Sequence, residues 1–179
     1  MDEAEKPRPA EDSAAQRRAA IIAAVQAETG IDESMIGKLV HGFYARVRED
    51  ALIGPIFAAR ISDWEPHLKT MCAFWSGVVL MSGRYHGQPM RKHLPLPIDS
   101  RHFDRWLTLF EATAQELCPP KAAAYFVERA RRIAESLELG IAVSSGRLPE
   151  KGQRLIRPEL EVAEGATAPR REQKSPDFA

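Results

Sequence analysis

The chain is poor in cysteine, with two among 179 residues. Cys72 and Cys118 form neither a CxxC pair nor any zinc-ligand spacing, and both are expected to be reduced packing residues and not a disulfide. It also lacks any apolar run approaching the roughly 18 residues that a membrane-spanning helix needs. Nor is there an excess of charge of one sign. Twenty-five basic and 25 acidic residues cancel, which removes the electrostatic case for capturing nucleic acid or an anionic membrane. The opening residues Met1 to Pro9 are polar and carry no apolar signal-peptide core. A cytoplasmic protein is the expectation.

What is present is an ordinary globular composition, 44% hydrophobic and 28% charged, enough for one domain with a sizeable core. Residues 1–13, rich in charge and proline, are expected to be disordered. Residues 14–30 read as an additional N-terminal helix, with Ala14, Ala15, Ile21, Ile22 and Val25 apolar and Gly30 as its cap. From 144 to 179 prolines alternate with charges and no apolar period survives, so a disordered tail contributing little to a core is expected.

Residues 31–143 read as an all-α domain. Met35, Ile36, Leu39, Val40, Phe43, Tyr44 and Val47 follow one buried helix face, with Asp32 or Ser34 placed to cap it. Leu52 to Phe57, broken by Gly54 and Pro55, reads as a turn. Trp64, His67, Leu68, Met71, Phe74, Trp75, Val78 and Val79 form a second stripe running to Gly83. Pro89 suits the first position of a short helix. Phe103, Trp106, Leu107, Phe110 and Leu117 give a third stripe. After Pro119-Pro120, residues Phe126, Val127, Ala130, Ile133, Ala134, Leu137 and Ile141 give a fourth.

Two histidines stand out against this background. His67 lies on the apolar face of the second stripe, and His93 ends the segment Pro89-Met90-Arg91-Lys92-His93. An imidazole on a helix face and another at a loop boundary, among so many aromatics, suit the two sides of a flat cofactor such as haem. Singly, each residue has a plainer reading. His67 also reads as a core histidine, His93 as a surface residue, Tyr44 as a packed tyrosine and Trp106 as core.

Order and spacing together resemble one family. The strings Phe43-Tyr44, Leu52-Ile53-Gly54-Pro55-Ile56-Phe57, Trp64-Glu65-Pro66-His67-Leu68 and Phe74-Trp75-Ser76-Gly77 are followed by Tyr85-His86-Gly87-Gln88-Pro89 and His93-Leu94. Phe103-Asp104-Arg105-Trp106-Leu107, Arg129-Ala130 and Ile133-Ala134-Glu135-Ser136-Leu137 complete the pattern. The chain from Ile31 to Ile141 resembles a truncated haemoglobin of the third, or P, group. The resemblance implies a two-over-two helical sandwich binding haem b, with His93 as proximal iron ligand. It implies a distal, ligand-binding trio of Tyr44, His67 and Trp106, and a cofactor wall of Phe43, Phe57, Met71, Phe74 and Phe103. Arg91 and Lys92 stand where they can pair with haem propionates or simply be solvated. The implied function is binding a diatomic gas for carriage, scavenging or sensing. The alternative is a redox enzyme for nitric oxide dioxygenation or peroxide reduction, which needs a separate reductase because no flavin or nicotinamide motif is present. A haemless interaction module is disfavoured, because such a core gains by replacing His93 and the distal trio with apolar groups.

Overall fold

The carboxylate of Asp32 accepts the Met35 N–H at 2.7 Å and starts the first helix of the expected domain. In the computed structural model, which describes residues 9–147, 150 and 152–160, that helix is α2, Glu33–Glu49. Before it lies α1, Pro9–Thr29; after it come α3, Gly54–Ala58; α4, Trp64–Leu80; α5, Pro89–His93; α6, Ser100–Leu117; and α7, Pro120–Ser144. Among the described residues there is no strand, and the expected all-α class holds.

Several boundaries differ from the sequence reading for identifiable reasons. Helix α1 starts at Pro9, within the stretch expected to be disordered; residues 1–8 lie outside the described residues. It stops at Gly30, whose φ of 69° is left-handed and whose N–H bonds to Gln26 O at 2.8 Å. The stretch read as a turn contains the short helix α3. Gly54 opens it because a Cβ there would stand 2.9 Å from the Val47 carbonyl oxygen, and Pro55 suits its first turn. Helix α4 ends at Leu80, before Gly83, because Met81 itself adopts the left-handed conformation at φ 50° and caps the Ser76 carbonyl.

Packing follows the stripes. Helix α2 lies against α4 and α6, and α6 lies along α7, so the pairs α2/α4 and α6/α7 are stacked two over two. Phe110, 1% exposed, stacks on Trp75 at 4.8 Å and on Trp106 at 5.1 Å between ring centroids, and meets Phe43 edge-on at 5.2 Å. Burying one such ring contributes about 2–3 kcal/mol. Cys118 is buried in this core, and both cysteines are free.

Helix α5 packs on α7, and none of its Cα atoms comes within 8 Å of those of α4. The two helices that carry His93 and His67 therefore do not close on each other.

The tail expectation needs correction. Leu155 is only 3% exposed and joins Ile98, Phe103, Ala134, Leu137, Ile141 and Ala142 in a second core cluster. Arg154 pairs with Glu138 and Asp104, so the chain after α7 returns to the domain surface and completes it. Residues 148, 149, 151 and 161–179 lie outside the described residues.

Candidate functional site: a slot between two histidine-bearing helices

One wall of the site is built by α2, α3, α4 and α6. The buried stripe of α2 brings Phe43 and Tyr44, 1% and 5% exposed, to the interior. The Tyr44 ring meets His67 of α4 edge-on at 5.0 Å, Phe57 of α3 at 5.8 Å and Trp64 at 6.0 Å. Trp106 of α6 joins through Phe43, at 5.2 Å. Five of the expected residues, Phe43, Tyr44, Phe57, His67 and Trp106, thus form one connected aromatic cluster. Met71 is half-buried against the same core.

A hydrogen-bonded corner holds this wall. Asp50, at the end of α2, accepts the N–H groups of Leu52 and Ile53, both at 3.0 Å, and the Arg105 guanidinium at 2.6 Å. Arg105 precedes Trp106, so one carboxylate ties the ends of α2 and α3 to the helix bearing Trp106. Burial pushes the Asp50 carboxyl up, but the Ile53 N–H, Arg105 and the Leu52 N–H together hold it below its ordinary value.

His67 is the exception in an otherwise satisfied interior. Its Nε2 is the one buried side-chain nitrogen or oxygen without a hydrogen-bond partner among the described residues. Leaving such an atom unpaired costs about 1–3 kcal/mol. Burial, and then the Lys92 cation on α5, hold the imidazole below its ordinary pKa, so it is neutral at pH 7. Burial also pushes the Tyr44 phenol far above its ordinary range, which keeps its proton on and leaves it a donor.

Helix α5 carries His93. Its Nδ1 lies 2.7 Å from the Pro89 carbonyl oxygen, which can only accept. The proton therefore sits on Nδ1, and Nε2 keeps a lone pair for a metal. Phe74 meets Tyr85 at 5.1 Å and, with Val78, Met90, Ile133 and Leu137, lines an apolar cavity of about 330 Å³ between α4, α5 and α7. Phe103 is apart from the aromatic cluster, in the second core cluster, where half-buried Met90, Leu94 and Leu96 also pack.

The residues present fit a haem. A lone-pair imidazole nitrogen on α5, an apolar cavity between α4, α5 and α7, and on α4 an unpartnered buried nitrogen beside a phenol donor are the donors and the lining that an iron porphyrin and its gaseous ligand call for. Sequence reasoning missed Asp50, Arg105, Met90 and Ile133. The last lies on the α7 stripe and was readable as core, whereas the partners of Asp50 are too distant in sequence to signal it.

Comparison with known proteins agrees. A family model described as bacterial-like globin matches residues 27–136. The group 3 truncated hemoglobin ctb of Campylobacter jejuni is 35% identical over 113 residues, covering 60% of this chain and 89% of that protein. The crystal structure of a group III truncated hemoglobin from Campylobacter jejuni aligns with a TM-score of 0.57 at 37% identity, over 60% of this chain and 88% of that one. The group 2 truncated hemoglobin YjbI of Bacillus subtilis is 32% identical over 80 residues, which are 44% of this chain and 61% of that protein. The class is therefore an all-α globin. The chain belongs to the bacterial-like globin family and, within it, to the group 3 truncated hemoglobins. That membership implies a haem cofactor and diatomic gas ligands. No helix among the described residues is long and apolar enough to cross a membrane.

Proposed function

We propose that this chain holds one haem b through His93 and binds a diatomic gas on the opposite side, within reach of Tyr44, His67 and Trp106. The observation that carries the reading is the unpartnered buried Nε2 of His67, together with a histidine on α5 held in the tautomer that can ligate a metal. When bound, a haem would supply an iron able to take up the gas. Everything else is the work of the chain. Pro89 O orients the His93 ring, and Phe57, Met71 and Phe74 exclude water from the slot. The Tyr44 hydroxyl donates to a polar ligand, and the Trp106 N–H is a second donor. Arg91 and Lys92, both exposed at the end of α5, suit the anionic edge of the cofactor.

The reading favours binding over redox catalysis, because the chain offers donors for a polar ligand and carries no motif for an electron-supplying cofactor. A separate reductase is the partner that the redox alternative requires.

The test is the absorption spectrum of purified ferric and ferrous protein, alone and with carbon monoxide. His93→Ala should lose most of its haem or leave it weakly held with a shifted Soret band. An unchanged Soret band and ferrous–CO spectrum in that variant would remove His93 from the proximal role.

A further inference from the structure

The family match ends at residue 136, yet the chain after α7 is tied into the domain immediately beyond His93. The ties form a continuous series. Leu96 N–H donates to the His93 carbonyl at 3.0 Å, and the Leu96 carbonyl accepts from the Arg157 guanidinium at 3.2 Å. The Arg157 N–H donates to Asp99 Oδ2 at 3.2 Å, and the Leu155 carbonyl accepts from Ser100 N–H at 2.9 Å. Leu155 N–H in turn donates to Glu138 Oε1 at 3.1 Å, and the Arg154 guanidinium grips both oxygens of that carboxylate and also Asp104.

Three of these anchors are buried, whereas Asp104 is exposed. Asp99 is 0% exposed and Glu138 8%, and Leu155 packs in the cluster that includes half-buried Met90, Leu94 and Leu96. Two buried carboxylates, one on the cap of α6 and one in α7, thus receive backbone N–H groups from the segment 154–157. Removing that segment would take from Glu138 the Arg154 guanidinium and the Leu155 N–H, a costly loss for a buried carboxylate, whereas Asp99 would keep Arg101 and His102. The segment bridges α6 and α7, the two elements that frame the turn leaving α5. Helix α5 itself is only five residues long and cannot hold its own shape.

We propose that residues 152–157 are a strap that positions His93, with Arg157 as the positioning residue, by fixing the turn from His93 to Asp99 against α6 and α7. This rests on the reading of His93 as the proximal ligand. The consequence is that the strap sets how rigidly the proximal imidazole is presented, and therefore how long the haem is retained. Asp99, His102 and Arg101 already cap α6 among themselves, so the cap alone does not need Arg157. The contact that Arg157 adds is the one to Leu96.

The experiment uses the full-length chain and the variants Arg157→Ala, Arg157→Lys and His93→Ala. Hydrogen exchange on the haem-free protein reads the anchoring directly. Arg157→Ala should raise exchange at the amides of residues 94–100 by about three- to tenfold, the loss of one half-buried charge-assisted hydrogen bond, and leave the amides of α2 and α4 unchanged. On the haem-loaded protein, resonance Raman of the ferrous state should show an iron–histidine band that His93→Ala abolishes. Arg157→Ala should shift or broaden that band and speed haem transfer to excess apomyoglobin by a similar factor, while Arg157→Lys recovers part of both.

Wild-type exchange and an unchanged iron–histidine band in Arg157→Ala would overturn the strap and leave the haem reading standing. A band that survives His93→Ala would overturn the haem reading and the strap's role with it. Equal acceleration of exchange throughout the domain would reduce Arg157 to general stability and overturn the positioning role.

Discussion

Replacing His67 by leucine should make the haem-free protein more stable, because it removes the single orphaned polar atom in the described interior. A buried group left unpaired costs about 1–3 kcal/mol. His67 is half-buried, so the lower part of that range, about 1–2 kcal/mol, is the expected gain. For a domain of this size about 1 kcal/mol moves Tm by roughly 2–4 °C, which gives an increase of about 2–8 °C. The gain also depends on pH. An unfolded histidine takes up its proton near pH 6.5, whereas the folded His67 resists protonation until lower pH because of burial and the nearby Lys92 charge. Between these two points the unfolded chain binds more protons, so wild-type stability is full above about pH 6.5 and falls as pH drops through that window toward the folded value. Leucine has no proton to bind, and the advantage of His67→Leu should be larger at pH 5.5 than at pH 8. Thermal unfolding of both haem-free proteins at the two pH values decides the matter. A lower Tm for His67→Leu at pH 8, or a gain that does not grow on acidification, would refute the reasoning. In the haem-loaded protein the same change should alter the rate of gas release, so that stability and function move in opposite directions.

Two other substitutions probe the same wall. Tyr44→Phe keeps the ring and removes the donor, and dioxygen should dissociate about ten- to hundredfold faster for a bond of about 1.4–2.8 kcal/mol; carbon monoxide, which is less polar, should change much less, and equal changes in stopped-flow traces would assign Tyr44 to access instead. Asp50→Asn should destabilise the protein by about 1–3 kcal/mol at pH 7 in urea unfolding, because the Arg105 guanidinium loses its anion; since the folded Asp50 pKa is depressed, its stabilisation is present above about pH 4 and lost as pH falls through the folded value, so the two curves should converge in acid.

The sequence made legible what repeats locally. The stripes of α2, α4, α6 and α7 are readable because a buried helix face repeats every three to four residues, and Asp32, Pro89 and Gly30 are readable because capping depends on neighbours within one turn. Where a signal depends on distant partners, reading stopped. Leu155 sits alone among charges and prolines and looks like tail, because the groups that bury it, Ile98, Phe103 and Ile141, come from elsewhere in the chain. Gly83 drew the expected end of α4 past Leu80, although Met81 accepts the left-handed geometry. For the candidate site, residue types and order brought Tyr44, His67 and Trp106 into view. That His67 lacks a partner, and that α5 stands clear of α4, are properties of packing alone.

The turn after His93 and the end of α2 beyond Tyr44 are braced differently, yet both braces end on one helix. The start of α6 is tied through Asp99, Ser100 and Asp104 to the segment carrying Arg154, Leu155 and Arg157. One residue beyond Asp104, Arg105 reaches Asp50 at the end of α2, and Trp106 enters the aromatic cluster. Helix α6 is thus the element to which both the turn after His93 and the end of α2 are tied. The local rule that every buried polar group be paired is obeyed by Asp50, Asp99 and Glu138 on the braces and broken by His67 inside. Among the described residues the local pairing rule thus gives way at a single buried nitrogen, and such departures from local consistency are expected at functional sites.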